Sequence, residues 1–130
     1  MAFPIDEKYI VETEDKLKVC FPEPFRQKMM IENGGSVDTP PDAWVLYPFF
    51  DTSSKKRLKR TFNSIARETQ MEWDQFRLPK NAVAIGANGG GDLLVFLRAE
   101  HGKSLGPAVH WWDHETGQFH FVCSDFSELI

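Results

Sequence analysis

Apolar positions three and four apart run from Leu58 through Phe62, Ile65 and Thr69 and continue to Trp73 and Phe76. That spacing places them on one face of a helix, and Asp51-Thr-Ser-Ser54 ahead of them supplies side chains that cap a helix start. A shorter helix is predicted after Pro22. Proline suits an opening turn, and Phe25, Met29, Met30 and Ile31 keep helical spacing over little more than two turns. Asn33, Gly34 and Gly35 then stop it, because Gly and Asn enter the left-handed region at little cost. The acidic stretch 1–18 is loosely periodic, with Ile5, Tyr9, Val11 and Leu17 available to pack, which predicts a weak N-terminal helix or an extended arm.

Trp44 to Phe50 is aromatic and β-branched, too short for a stable helix and suited to a strand. Pro48 offers no ladder donor, so the strand either lies at a sheet edge or ends near Tyr47. After Leu78-Pro79 the pattern switches to period two. Strands are predicted over Val83 to Gly86, Asp92 to Leu97, Ala108 to Trp112 and Phe119 to Cys123, joined by Gly89-Gly90-Gly91, His101-Gly102 and Glu115-Thr-Gly117. Separations this short leave no room for crossovers, so an antiparallel meander is expected. Ser124 to Leu129 reads as a capped final turn returning Phe126 and Leu129 to the core. Helices followed by strands predict an α+β fold, a small, mostly antiparallel or mixed sheet packed on one face by helices. A chain of 130 residues supports one core, so a single domain over 1–130 is expected.

Charge narrows the class of partner. Fifteen Lys and Arg against nineteen Asp and Glu give a net charge of −4, which removes the usual driver for nonspecific binding to nucleic acid or an anionic membrane. A protein partner fits better, and direct nucleic-acid or membrane binding is not expected. The cations cluster at Lys55, Lys56, Arg57, Lys59, Arg60 and Arg67; near a helix start they oppose its dipole, a small cost that a bound phosphate or acidic partner would offset. Cys20 and Cys123 are isolated, with neither a CxxC pair nor the density of a disulfide scaffold. No apolar run approaches a membrane span, and the acidic N-terminal stretch has the wrong charge for a signal peptide. A reducing cytoplasm is the expected compartment.

Three groups of residues invite chemistry. Gly86-Ala-Asn-Gly-Gly-Gly-Asp92 offers consecutive amides to an anion, but it lacks the Lys and the following helix of a phosphate loop, and Asp92 would repel the phosphate. Asn88, Gly89, Gly90, Gly91 and Asp92 therefore read as a structural turn, as Asn33, Gly34 and Gly35 read as a helix stop. His110, Asp113, His114 and His120 fall within eleven residues and all suit a transition metal, although three of them could meet only through loop folding. A small metal- or ligand-binding enzyme using the 88–92 loop with His110 and His114 is the alternative they raise. Ser104, Ser124 and Ser127 lie in no nucleophile elbow, and no cofactor is implied. Trp111 and Trp112 point to opposite sheet faces, so one of them must leave the helix-packed side. With Asp113, His114 and Glu115 they form the stretch a protein partner would meet.

The order of these signals resembles the SUKH superfamily, the family of fungal cell-wall-synthesis regulators and bacterial immunity proteins. The resemblance is carried by Phe21-Pro-Glu-Pro-Phe-Arg-Gln-Lys-Met-Met-Ile-Glu-Asn-Gly-Gly35, Trp44-Val-Leu-Tyr47, Val83 to Phe96, Val109-His-Trp-Trp-Asp-His-Glu115 and Ser124-Asp-Phe-Ser-Glu-Leu129. It implies an α+β domain without enzymatic activity of its own. It further implies a protein that binds and neutralises a toxin, often a nuclease, in a bacterial polymorphic toxin system, or a housekeeping regulatory module on the same scaffold.

Overall fold

The computed structural model describes residues 2–100 and 102–130. Helix α1 (Glu7–Leu17) is capped by the Asp6 carboxylate, which accepts from the Lys8 amide, and closed by Lys18 in the left-handed region. The N-terminal stretch is thus a regular helix that buries Tyr9, Ile10, Thr13 and Leu17, while Val11 faces out. Helix α2 (Glu23–Ile31) opens on Pro22 and Pro24 and buries Phe25 and Met29 one turn apart. It stops where expected but by a different route. Glu32 at its end is extended, and the positive φ angles come after it, at Gly34 and Gly35.

Strands β1 (Ser36–Thr39) and β2 (Asp42–Leu46) form a hairpin around Pro40 and Pro41, whose connecting peptide is cis. The four-residue β1, Ser-Val-Asp-Thr, had too little apolar pattern to be read from sequence. The long helix expected from Leu58 to Phe76 is two: α3 (Lys55–Arg60) and α4 (Ile65–Gln75). Thr61 and Ser64 break it. The Thr61 hydroxyl accepts from the Asp51 amide and donates to the Arg57 carbonyl, and the Ser64 hydroxyl accepts from the Arg67 amide to begin a new helix. The break turns the apolar stripe, so Ile65 and Thr69 are buried while Leu58, Phe62 and Phe76 are exposed.

Strands β3 (Ala82–Ala87), β4 (Leu93–Arg98), β5 (Leu105–Trp112) and β6 (Phe119–Cys123) complete a six-stranded antiparallel sheet in chain order, and a 3-10 turn (Phe126–Leu129) closes the chain. Of the turn expected at His101-Gly102, His101 lies outside the described residues; Gly102 has φ of 81°. Side chains of α1, α2 and the closing turn share a core with Val83, Ile85, Leu94, Phe96 and Val109 on one face of the sheet. Phe25 is its hub, with its ring centroid 4.9 Å from Phe126, 5.3 Å from Phe96, 5.6 Å from Phe21 and 5.9 Å from Phe49. A smaller apolar cluster, including Leu78, Ala82, Ala84, Leu93, Val95 and Trp112, lies on the opposite face.

Helix α4 also repairs a sheet edge. Strand β2 meets β3 only at Val45–Ala87 and Leu46–Gly86, leaving the earlier part of β3 without a strand neighbour on that side. There the Thr69 hydroxyl accepts from the Ala84 amide at 3.0 Å and donates to the Ala84 carbonyl at 3.3 Å, and the Trp73 indole donates to the Ala82 carbonyl at 2.9 Å. Thr69→Val keeps the shape but orphans both Ala84 groups, and is expected to cost about 1–3 kcal/mol in urea unfolding. A change under about 0.5 kcal/mol, within the scatter of neutral surface substitutions, would mean that these bonds contribute little.

Candidate partner-binding groove

Helix α4 and the β5–β6 hairpin bound a groove on the sheet face away from α1 and α2. Glu72, Gln75, Phe76 and Arg77 line one wall and Gly91 and His114 the other, with Trp112 at the base, around a cavity of about 500 Å³. A second cavity of about 290 Å³ continues it past Pro79 to Glu115, Thr116 and Gly117.

The glycine turn and the hairpin assemble the second wall. The Asn88 carboxamide oxygen accepts from the Gly90 amide at 2.9 Å, folding the loop tightly. Gly91 has a φ of 103°, and a Cβ there would sit 2.8 Å from the His114 ring, so only glycine lets the ring lie against the loop. Asp92 then fastens the two turns together: its carboxylate accepts from the His114 amide at 3.2 Å and lies 2.7 Å from His114 Nδ1. The Asp113 carboxylate accepts from the Glu115 and Thr116 amides, and this bonding holds it below the usual carboxylate range.

Asp92 raises the His114 pKa, above all through their hydrogen bond. A group whose folded pKa is raised stabilises the fold fully below its unfolded value, about 6.5, and loses that contribution as pH rises through the folded pKa. The tie between the turns therefore weakens toward alkaline pH. An NMR titration of the imidazole should place His114 above its ordinary midpoint, and Asp92→Asn should bring it back down. An unchanged midpoint in the variant would remove Asp92 as the cause.

Asp92, Asp113 and His114 offer ligand atoms within 4.8 Å of one another, but each is already engaged: His114 Nδ1 with Asp92, and Asp113 with two turn amides. His110 does not join them. It lies on β5 with its ring against Phe121 at 5.7 Å, so the grouping of His110 with His114 at the 88–92 loop, which the metal- or ligand-binding alternative required, is not formed among the described residues. Distance along the strand and commitment to the turn separate the imidazoles.

Of the residues singled out from sequence, Gly91, Asp92, Trp112, Asp113, His114 and Glu115 come together here. Asn33 does not. It is buried elsewhere, where its side chain accepts from the Phe49 amide at 2.8 Å and donates to the Phe49 carbonyl at 2.9 Å. Trp111 points to the helix-packed face, half-buried and stacked on His120 at 4.3 Å. Trp112 takes the other face but is only 3% exposed, and its indole N–H has no acceptor among the described residues. The exposed rings on this side are Phe76, at 56%, and Phe121, at 64%, which shares the face of Trp112 by register with His110.

Sequence reasoning missed Glu72, Phe76 and Arg77. Phe76 kept the helical stripe and so read as core, and Glu72 carried no signal beyond its place on a helix. Desolvation, reinforced by Glu68, pushes the Glu72 carboxyl up. Its side chain has no hydrogen-bond partner among the described residues, and neither does Arg77, which is held in the left-handed region at φ 69°. The groove thus combines apolar rings, a buried indole N–H without a partner among the described residues, and an acidic rim.

The model of the SMI1 / KNR4 family (SUKH-1) matches residues 4–130 of this chain. None of the curated proteins compared with it matches.

Proposed function

Because the chain belongs to the SMI1 / KNR4 family (SUKH-1), we propose that it is a non-enzymatic protein-binding domain that neutralises a toxin, often a nuclease in such systems, inside a bacterial cytoplasm. The groove between α4 and the β5–β6 hairpin is the observation that supports this reading best. A nuclease presents a basic cleft to its substrate. Glu72, Asp92, Asp113 and Glu115 around the groove, within a chain of net charge −4, would speed encounter with such a cleft, and Phe76 and Phe121 would supply ring area to hold it. Trp111, Trp112 and Glu115 then act unequally: Trp112 supports the surface from below, Glu115 contributes charge, and Trp111 stabilises the scaffold.

Affinity capture from source cells with the full chain, in wild-type form and as Glu72→Lys/Phe76→Ser, tests the proposal. The wild type is expected to retain a protein that is toxic when expressed alone, and the variant to bind it at least about tenfold more weakly, the loss of one interface anchor. Association should slow as salt is raised. Equal capture by both forms would move the surface elsewhere. A non-toxic captured protein would favour the housekeeping regulatory role.

A further inference from the structure

We propose that a second surface, the cleft between the end of α1 and the start of α4, receives an acidic protein segment carrying one large apolar side chain. Leu17, Phe50, Phe62 and Ala66 give the cleft an apolar lining around about 380 Å³, and Lys16 and Arg67 stand at its sides. The cations lie over the rings: Lys16 Nζ is 5.9 Å from the Phe50 centroid and the Arg67 guanidinium carbon 4.8 Å from that of Phe62. Phe62 is 55% exposed. Lys16 has no acidic partner among the described residues, while Arg67 shares its charge with Glu68 at 2.8 Å.

Helix α3 ends two residues before Phe62, and its cations lie around Phe3 at a neighbouring cavity that Phe3 and Arg60 line. Five of its six residues are Lys or Arg and none is buried, so the core does not account for its sequence. Lys56, Arg57 and Arg60 gather around the Phe3 ring, and Lys55 and Lys59 have no acidic partner among the described residues. Without those five cations the chain has ten Lys and Arg against nineteen Asp and Glu. A cationic surface is therefore built locally on an otherwise strongly acidic molecule. A long polyanion would meet that acidic remainder, whereas a short acidic segment would not, and the concave apolar lining suits a Leu, Phe or Trp side chain better than a phosphate backbone. Along α4 the cleft is lined as far as Gln70 and the groove from Glu72 onward, residues about 200° apart around the helix, so the two surfaces face different ways.

A phage-displayed random dodecamer library, selected on the immobilised full chain and counter-selected on Lys16→Glu/Phe62→Ser, tests the assignment. Both substituted side chains are exposed, and circular dichroism would verify the fold; Arg67→Glu serves if that variant does not fold. Enriched peptides should be rich in Asp and Glu around one large apolar residue. A synthetic copy should bind the wild type at least about tenfold more tightly than the variant, with affinity falling as salt rises. A basic or uncharged consensus, equal binding to the variant, failure to enrich any peptide, or tighter binding of an oligothymidylate at physiological salt would each overturn it.

Discussion

Phe25→Ala is expected to destabilise the protein by about 3–5 kcal/mol, the range for removing a fully buried aromatic ring. The ring has no solvent exposure and touches four other phenylalanines contributed by the segment before α2, the segment after β2, strand β4 and the closing turn. Their backbones are tied into separate elements, so the cavity cannot collapse easily. Domains of this size have about 5–15 kcal/mol of stability, so the loss would consume much of it and shift the urea midpoint strongly. A loss below about 1.5 kcal/mol, the range of tolerated core swaps, would show that the aromatic cluster repacks and that Phe25 is not its hub.

Asn33→Ala should cost about 2–4 kcal/mol for a different reason. The Asn33 carboxamide imitates a neighbouring strand, pairing with both the amide and the carbonyl of buried Phe49. Alanine strands both backbone groups away from water. Asn33→Asp separates the two bonds, because a carboxylate still accepts from the Phe49 amide but cannot donate to its carbonyl. If Ala and Asp variants unfold at the same denaturant concentration as wild type, the clamp carries no stability.

The sequence reading succeeded where the repeating pattern and the turn chemistry agreed. Strands β3 to β6 are short apolar runs between glycine-containing turns, and their antiparallel order followed from connections too short for crossovers. Family membership was legible in the same stretches, since Asn33-Gly34-Gly35, Gly90-Gly91-Asp92 and Trp112-Asp113-His114 kept their order. The errors arose where a polar side chain overrode periodicity. Thr61 and Ser64 divided a helix whose apolar spacing was unbroken: the Thr61 hydroxyl ties the end of α3 back to the Asp51 amide, and the Ser64 hydroxyl takes the Arg67 amide that a continuous helix would have used. Thr69 looked like a position on an apolar face and proved to be a hydrogen-bonding bridge to β3. Half of the groove was visible in advance, since Asp92, Trp112 and His114 are close in sequence to their own turns. The half contributed by Glu72, Phe76 and Arg77 depended on how α4 docks against β3, a long-range outcome that local spacing does not encode.

Neutralisation by binding makes a quantitative demand that enzymatic detoxification does not. Titrating the purified chain against a fixed amount of the captured toxin, with toxin activity as the readout, should give a linear decline that reaches zero near one equivalent. Complete loss of activity at a small fraction of an equivalent would require turnover, and unchanged activity at several equivalents would require a partner other than the toxin; either would contradict the account.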